Sequence, residues 1–179
     1  LEGAAQPARS LAVVPAGVAA GVAPTALGLA HALAREGRTV LFVEATGGPS
    51  VVPRAQRPDA DADGGLDGGL DAVLAGRRHW SEVARQDGAA GPWLLAASAR
   101  RRAESDAPRL DGLLAEAGRR FDRIVVAAPP ATTPAGIRAA RAAQATLLLV
   151  GRRRDDALTR AVAALHDVGA RPLGVLRVA

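Results

Sequence analysis

Apolar residues fall along this chain in short unbroken runs, separated by stretches with helical spacing. Leu11–Ala16 is the first such run, and its continuous apolar character predicts a strand buried on both faces. From about Ala23 to Glu36, Leu27, Ala30, His31 and Ala34 recur at helical spacing, and Gly37 is placed to cap the helix. Val40–Val43 reads as the second strand. Leu66–Ala75 reads as a short helix closing at Gly76, and Trp80–Gln86 as another. Trp93–Ala97 is a third strand. A helix from Pro108 to about Arg120 buries Leu110, Leu113, Leu114 and Ala117. Phe121–Ala127 is a strand stopped by Pro129-Pro130, Pro134–Ala143 a helix, and Ala145–Val150 a strand. Asp155–Val168 is a helix with Leu158, Val162 and Leu165 facing inward, Gly169 caps it, and Leu173–Val178 is the last strand. Strands alternating with helices predict a three-layer α/β/α fold with a mostly parallel sheet. Residues 1–10 read as a loose polar lead-in and residues 11–179 as one domain.

Leu11–Ala34 carries no charged residue over more than twenty positions, which meets the length test for a membrane span. Pro15, Pro24 and several glycines interrupt it, so a strand and a helix explain the run better, and no transmembrane segment is expected. The chain opens on Leu without a basic-apolar leader, so no secretory signal is expected either.

Composition adds little chemistry. There is no Cys, hence no disulfide framework and no thiolate metal site. The net charge is +5 and is carried entirely by Arg, since the sequence has no Lys. Acidic residues are interspersed, and Phe42, Trp80, Trp93 and Phe121 are the only aromatics, so stacking on nucleic acid is disfavoured. Asp59, Asp61 and Asp63 alternate as in part of a calcium loop. The glycine and closing glutamate of that motif are not in place, and a solvated acidic loop is expected. His31 reads as a packed or half-exposed side chain, with no carboxylate spaced along the sequence to make it a ligand.

The first strand runs into a glycine-containing loop, Gly17 to Gly21, that opens a helix, and a second strand follows. That is the layout of a phosphate loop. A working one needs glycines that turn backbone N–H groups toward the phosphates, a lysine on the β/γ oxygens and a Ser/Thr hydroxyl on Mg²⁺. Here Gly21 is followed by Val22, Ala23 and Pro24.

Several further stretches occur in a definite order: Arg35-Glu-Gly-Arg-Thr-Val-Leu-Phe-Val-Glu44, Gly69-Leu-Asp-Ala-Val-Leu-Ala-Gly76 with Trp80-Ser-Glu-Val after it, Gly91-Pro-Trp-Leu-Leu-Ala-Ala, Pro108-Arg-Leu-Asp-Gly-Leu-Leu, Phe121-Asp-Arg-Ile-Val-Val-Ala-Ala-Pro-Pro130, Ala145-Thr-Leu-Leu-Leu-Val150 and Gly169-Ala-Arg-Pro-Leu-Gly-Val. This order resembles the cytoplasmic ATPase domain of bacterial tyrosine kinases and their polysaccharide co-polymerase relatives, in the ParA/MinD-type branch of P-loop ATPases. The resemblance covers about Leu11 to Val178 and implies a P-loop NTPase-like fold. Carried over residue by residue, it puts the phosphate-loop lysine at Val22, the Mg²⁺ hydroxyl at Ala23 and a second Ser/Thr at Pro24. The acidic residue that ends the second strand falls at Glu44, the next acidic position at Thr46, and the Walker B aspartate at Ala127. The family's tyrosine-rich tail has no counterpart in a chain without Tyr.

The resemblance therefore implies a pseudo-ATPase or pseudokinase, with no ATP or Mg²⁺ expected as cofactor. Such a domain acts as an interaction or assembly module, pairing with itself or with a protein partner at the cytoplasmic side of a membrane system for surface polysaccharide. The apolar Val18–Ala23 loop is the expected contact. Two alternatives stand beside it. One is an enzyme with a non-standard nucleotide site using Glu44 and an arginine, for which Arg152, Arg153 and Arg154 after the fifth strand are the candidate anion contact. The other is a binder of DNA or a membrane surface through net positive charge. For these arginines, and for Arg100–Arg102, a solvated turn is the competing reading.

Overall fold

The computed structural model describes residues 8–17, 21–57, 69–97, 107–151 and 156–178, the side chains of 107 and 108 excepted. Strands β1 (Ser10–Pro15), β2 (Val40–Glu44), β3 (Arg85–Gln86), β4 (Trp93–Leu95), β5 (Arg123–Ala127), β6 (Ala145–Val150) and β7 (Pro172–Arg177) form one sheet in the order β3-β4-β2-β5-β1-β6-β7. All neighbours are parallel except β3, which pairs antiparallel with β4. The helices are α1 (Val22–Arg35), α2 (Gly69–Leu74), α3 (Trp80–Val83), α4 (Ala107–Ala117), α5 (Pro134–Ala142) and α6 (Ala157–Asp167).

Side-chain alternation along each strand divides the core into two layers. Ala12, Val14, Leu41, Val43, Ile124, Val126 and Leu148 face one side, where residues of α2 to α6 complete the cluster. Val13, Val40, Phe42, Val125, Ala127 and Leu149 face the other, covered by α1 and by Val51–Val52. The expected three-layer α/β/α architecture is the observed one.

Several boundaries differ from the sequence reading, each for a local reason. Trp80–Gln86 is not one helix. α3 ends at Val83, the backbone becomes extended at Ala84, and Arg85–Gln86 turns into the edge strand β3. The hairpin behind it is closed by Asp87 N–H to Pro92 C=O, with Gly88 at φ +69°. The lead-in is not loose at its end. Ser10 is buried in β1 and accepts from Gln144 N–H at 2.9 Å, while Arg9 C=O accepts from Ile124 N–H at 2.7 Å. Phe121 and Asp122 precede β5 rather than opening it. Phe121 N–H closes α4 on Ala117 C=O, and Asp122 accepts from Thr39 N–H and Thr39 hydroxyl, both at 2.8 Å.

α1 is rotated relative to the expected face. It buries Val22, Ala23, Ala26, Ala30 and Ala34, leaving Leu27 and His31 half-buried on its flank. A strip of alanines lets the helix approach the sheet closely, while the larger leucines fill the margins. On α6, Ala157, Ala161 and Leu165 are buried, Leu158 is half-buried and Val162 is exposed, against the expectation that it faces inward. Asp155, Leu66–Gly68, the acidic loop with Asp59, Asp61 and Asp63, and Arg100–Arg102 lie outside the described residues.

Candidate functional site

The carboxyl ends of β1, β2 and β5 meet the start of α1. Backbone register sets Val13 beside Ala127 and Ala127 beside Glu44. Further ties hold these ends together: Ala128 N–H to Val13 C=O at 3.0 Å, Ala45 N–H to Ala127 C=O at 2.7 Å and Ala131 N–H to Pro15 C=O at 2.8 Å. Gly17 leaves β1 half-buried. Gly21 re-enters at φ +97°, a left-handed conformation that glycine adopts at no steric cost, and its carbonyl accepts Thr25 N–H at 2.9 Å. Among the described residues no side chain caps α1, and no acidic residue stands in its first turn. Val18–Ala20, between these glycines, lie outside the described residues.

The positions that follow carry no exposed chemistry. Val22 is 5% exposed and Ala23 7%. Both belong to the same apolar cluster as Ala127, Val13, Phe42 and Val52. Pro24 is exposed and has no N–H to give. Of the expected Val18–Ala23 contact loop, Val22 and Ala23 are therefore committed to the core rather than offered to a partner.

Glu44 is fully buried. Its carboxyl accepts from the Ser50 hydroxyl and, at 2.7 Å, from Val51 N–H, and Ser50 Oγ in turn accepts Val52 N–H at 3.2 Å. This side chain staples the loop after β2 across the end of its own strand. Thr46 is half-buried in that loop. The structure brings Gly21, Val22, Ala23, Glu44 and Ala127 to one end of the sheet. Arg152, Arg153 and Arg154 lie outside the described residues. Among the described residues no three His, Cys, Asp or Glu side chains gather as a metal site, and no helix is long and apolar enough to cross a membrane.

A second polar cluster escaped the sequence reading. His79 Nε2 lies 2.5 Å from Glu116 Oε1, which also accepts Trp80 Nε1–H at 3.1 Å. A carboxylate only accepts, so Nε2 carries the proton. Nδ1 then accepts from Ser81, whose Oγ is 2.6 Å away. Arg120 lies 5.7 Å from both the Trp80 and the Trp93 ring centroids. An open cavity of about 430 Å³ adjoins this cluster, lined among others by Gly76, Arg78, Arg109 and Glu116. His31 also finds a carboxylate: Nε2 is 3.2 Å from Asp87 Oδ2, carried by the hairpin. Both pairings join residues far apart in sequence, so periodicity alone gives no sign of them.

The hydrogen bond from His79 holds the Glu116 carboxyl below its ordinary value of 4.5, against desolvation and with help from Trp80 N–H. A carboxyl lowered by folding contributes stability that is present above its ordinary value and lost as pH falls through the lower folded value. Glu116→Gln will therefore lose less stability than the parent chain between about pH 5 and pH 3. Urea midpoints at the two pH values measure the difference.

No protein-family model matches the chain, and no curated protein does. Solved structures match over nearly its whole length. The VpsO kinase domain superposes with a TM-score of 0.75 at 19% identity, over 96% of this chain and 86% of that one. The kinase domain of the Escherichia coli tyrosine kinase ETK gives 0.72 at 19%, over 94% and 66%. MinD in the MinC:MinD cell division complex of Aquifex aeolicus gives 0.74 at 19%, over 95% and 68%. The chain thus has the α/β P-loop ATPase fold of bacterial tyrosine kinase domains and MinD-type proteins.

Proposed function

We propose that this chain is a pseudo-ATPase, a P-loop fold used as an interaction or assembly module that neither hydrolyses ATP nor binds it tightly. One observation carries the reading: the positions that would hold the lysine, the hydroxyl and the metal aspartate are built into the protein's own interior. Val22, Ala23 and Ala127 share one apolar cluster, and the Glu44 carboxyl is engaged by Ser50 and Val51. Phosphoryl transfer depends on fixed charges that hold Mg²⁺ and the β/γ oxygens, and each such group is worth several kcal/mol in the transition state. Removing the lysine, the hydroxyl and the metal aspartate together leaves only backbone N–H groups to attract an anion. A non-standard site would need Glu44 to abandon Ser50 and Val51, at the cost of unsealing the loop. By resemblance to bacterial tyrosine kinase domains, we place the module in surface or capsular polysaccharide synthesis or export. There it works on the cytoplasmic face of the membrane, through self-association or a protein partner.

Thermal unfolding with ATP, ADP and GTP, each with and without Mg²⁺, tests the reading. A ligand at a hundred times its dissociation constant would stabilise the fold by about 2.7 kcal/mol, several degrees at this size. No shift at millimolar nucleotide is expected. A Mg²⁺-dependent rise would refute the proposal and direct attention to Arg152–Arg154.

A further inference from the structure

The cavity beside the His79–Glu116 cluster lies between the end of α2, the turn into α3 and one face of α4. It holds about 430 Å³, within the size range of small-molecule pockets. Arg109, Gly112, Leu113 and Glu116 all line it, at the i, i+3, i+4, i+7 spacing that sets side chains on one side of a helix. Both lining segments, 73–80 and 109–116, are interior, so the walls are built without either end of the chain. Two glycines keep the space open. A mid-helix glycine is destabilising relative to alanine, yet no described residue lies within 4 Å of a Cβ at Gly112, so packing does not require glycine there. What the missing side chain leaves is room in the cavity. Gly76 is the other, at φ +70° where α2 ends. A Cβ there would lie 2.6 Å from Arg109 Nη1, so this glycine lets the guanidinium rest against the turn. Arg109 makes no hydrogen bond or ion pair with a described residue, whereas Arg78, also in the lining, has its Nε 3.4 Å from Glu82. Glu116 Oε1 takes the His79 and Trp80 protons, and Oε2 accepts from no described residue. Arg109 and Glu116 stand two turns apart, about 10 Å along the helix axis. The α4 wall therefore carries a cation at one end and a carboxylate at the other.

We propose that this cavity binds a small zwitterion, with a carboxylate for Arg109, an ammonium for Glu116 and an apolar middle. A linear peptide of three small apolar residues spans about 10 Å when extended, at about 3.3 Å per residue, and carries those two charges on its own termini. Its middle side chain is buried against Val73 and Leu113. A purely anionic ligand is the poorer occupant because Glu116 repels it, and a purely cationic one because Arg109 does. None of the nucleotide-site positions lines this cavity, so the proposal stands whether or not nucleotide binds.

The test uses the whole chain without nucleotide and four forms of the tripeptide Ala-Leu-Ala: free at both ends, acetylated, amidated, and blocked at both ends. Calorimetry gives affinity, and ¹⁵N amide shifts at Gly76 and Gly112 give the position. The free peptide is expected to bind with a sub-millimolar dissociation constant. Each block should weaken it about threefold, the effect of one exposed ion pair, and both together about tenfold. Arg109→Gln should abolish the penalty of amidation and keep that of acetylation, and Glu116→Gln should do the reverse. Gly112→Leu fills the cavity from a helix position that favours leucine over glycine. It should raise the melting temperature and weaken binding at least about tenfold, and it keeps the test decisive if a charge substitution folds poorly. Equal binding of the four peptides, no binding of any at millimolar concentration, or undiminished binding by Gly112→Leu would overturn the proposal. So would tighter binding of the doubly blocked peptide, which would make a segment within a longer polypeptide the occupant.

Discussion

Glu44→Ala will destabilise the domain by about 3 kcal/mol, lowering the melting temperature by roughly 6–12 °C. The expectation follows from what the carboxyl does. It is fully buried and accepts from both the Ser50 hydroxyl and Val51 N–H, so its removal leaves two donors without their partner and a void beneath the loop. Glu44→Gln keeps the volume and one acceptor, and should cost only about 1 kcal/mol. Chemical denaturation of the two variants separates a hydrogen-bonding staple from simple packing. Equal losses would assign the effect to volume alone. A side chain kept for catalysis predicts the reverse: little change in stability and a change in nucleotide response.

Gly136→Ala will be comparably costly, about 3 kcal/mol, although alanine is the better helix former by about 1 kcal/mol. A Cβ at Gly136 would lie 2.1 Å from Pro130 carbonyl oxygen and 2.5 Å from that of Pro129. Backbone would have to move, and this backbone is tied on both sides. Thr133 hydroxyl donates to Pro130 C=O at 2.8 Å while its oxygen accepts Gly136 N–H at 3.1 Å, and Ala131 N–H bonds Pro15 C=O. The shift would reach the end of β1, where the loop into α1 begins. Gly28 provides the control. It lies exposed in α1 with no described residue within 4 Å of its would-be Cβ, so Gly28→Ala should stabilise by about 0.5–1 kcal/mol. The same substitution with opposite signs at two helical glycines would tie the Gly136 effect to the proline loop.

The central strands were legible because burial on both faces writes them as unbroken apolar runs: β1, β2, β5 and β6 fall on the runs that announce them. Gly37, Gly76 and Gly169, expected as caps, take φ of +81°, +70° and +67°. Local rules fail where a distant contact decides. Arg85–Gln86 becomes a strand only because β4 is there to pair with it. α1 turns an alanine strip inward because the sheet surface rewards close approach over leucine burial. The sequence placed Glu44 at the end of β2 but gave no sign that Ser50 and Val51 would close over it. His79 and Glu116 lie 37 positions apart and meet only once α3 packs beside α4.

A pseudo-ATPase of this kind does not hold nucleotide tightly where α1 begins. Two-dimensional amide NMR of the ¹⁵N-labelled chain, titrated with ATP and Mg²⁺ to millimolar concentration, observes that place directly. The Gly21, Val22 and Ala23 resonances are expected to stay where they are. Saturable, Mg²⁺-dependent shifts at those amides would contradict it.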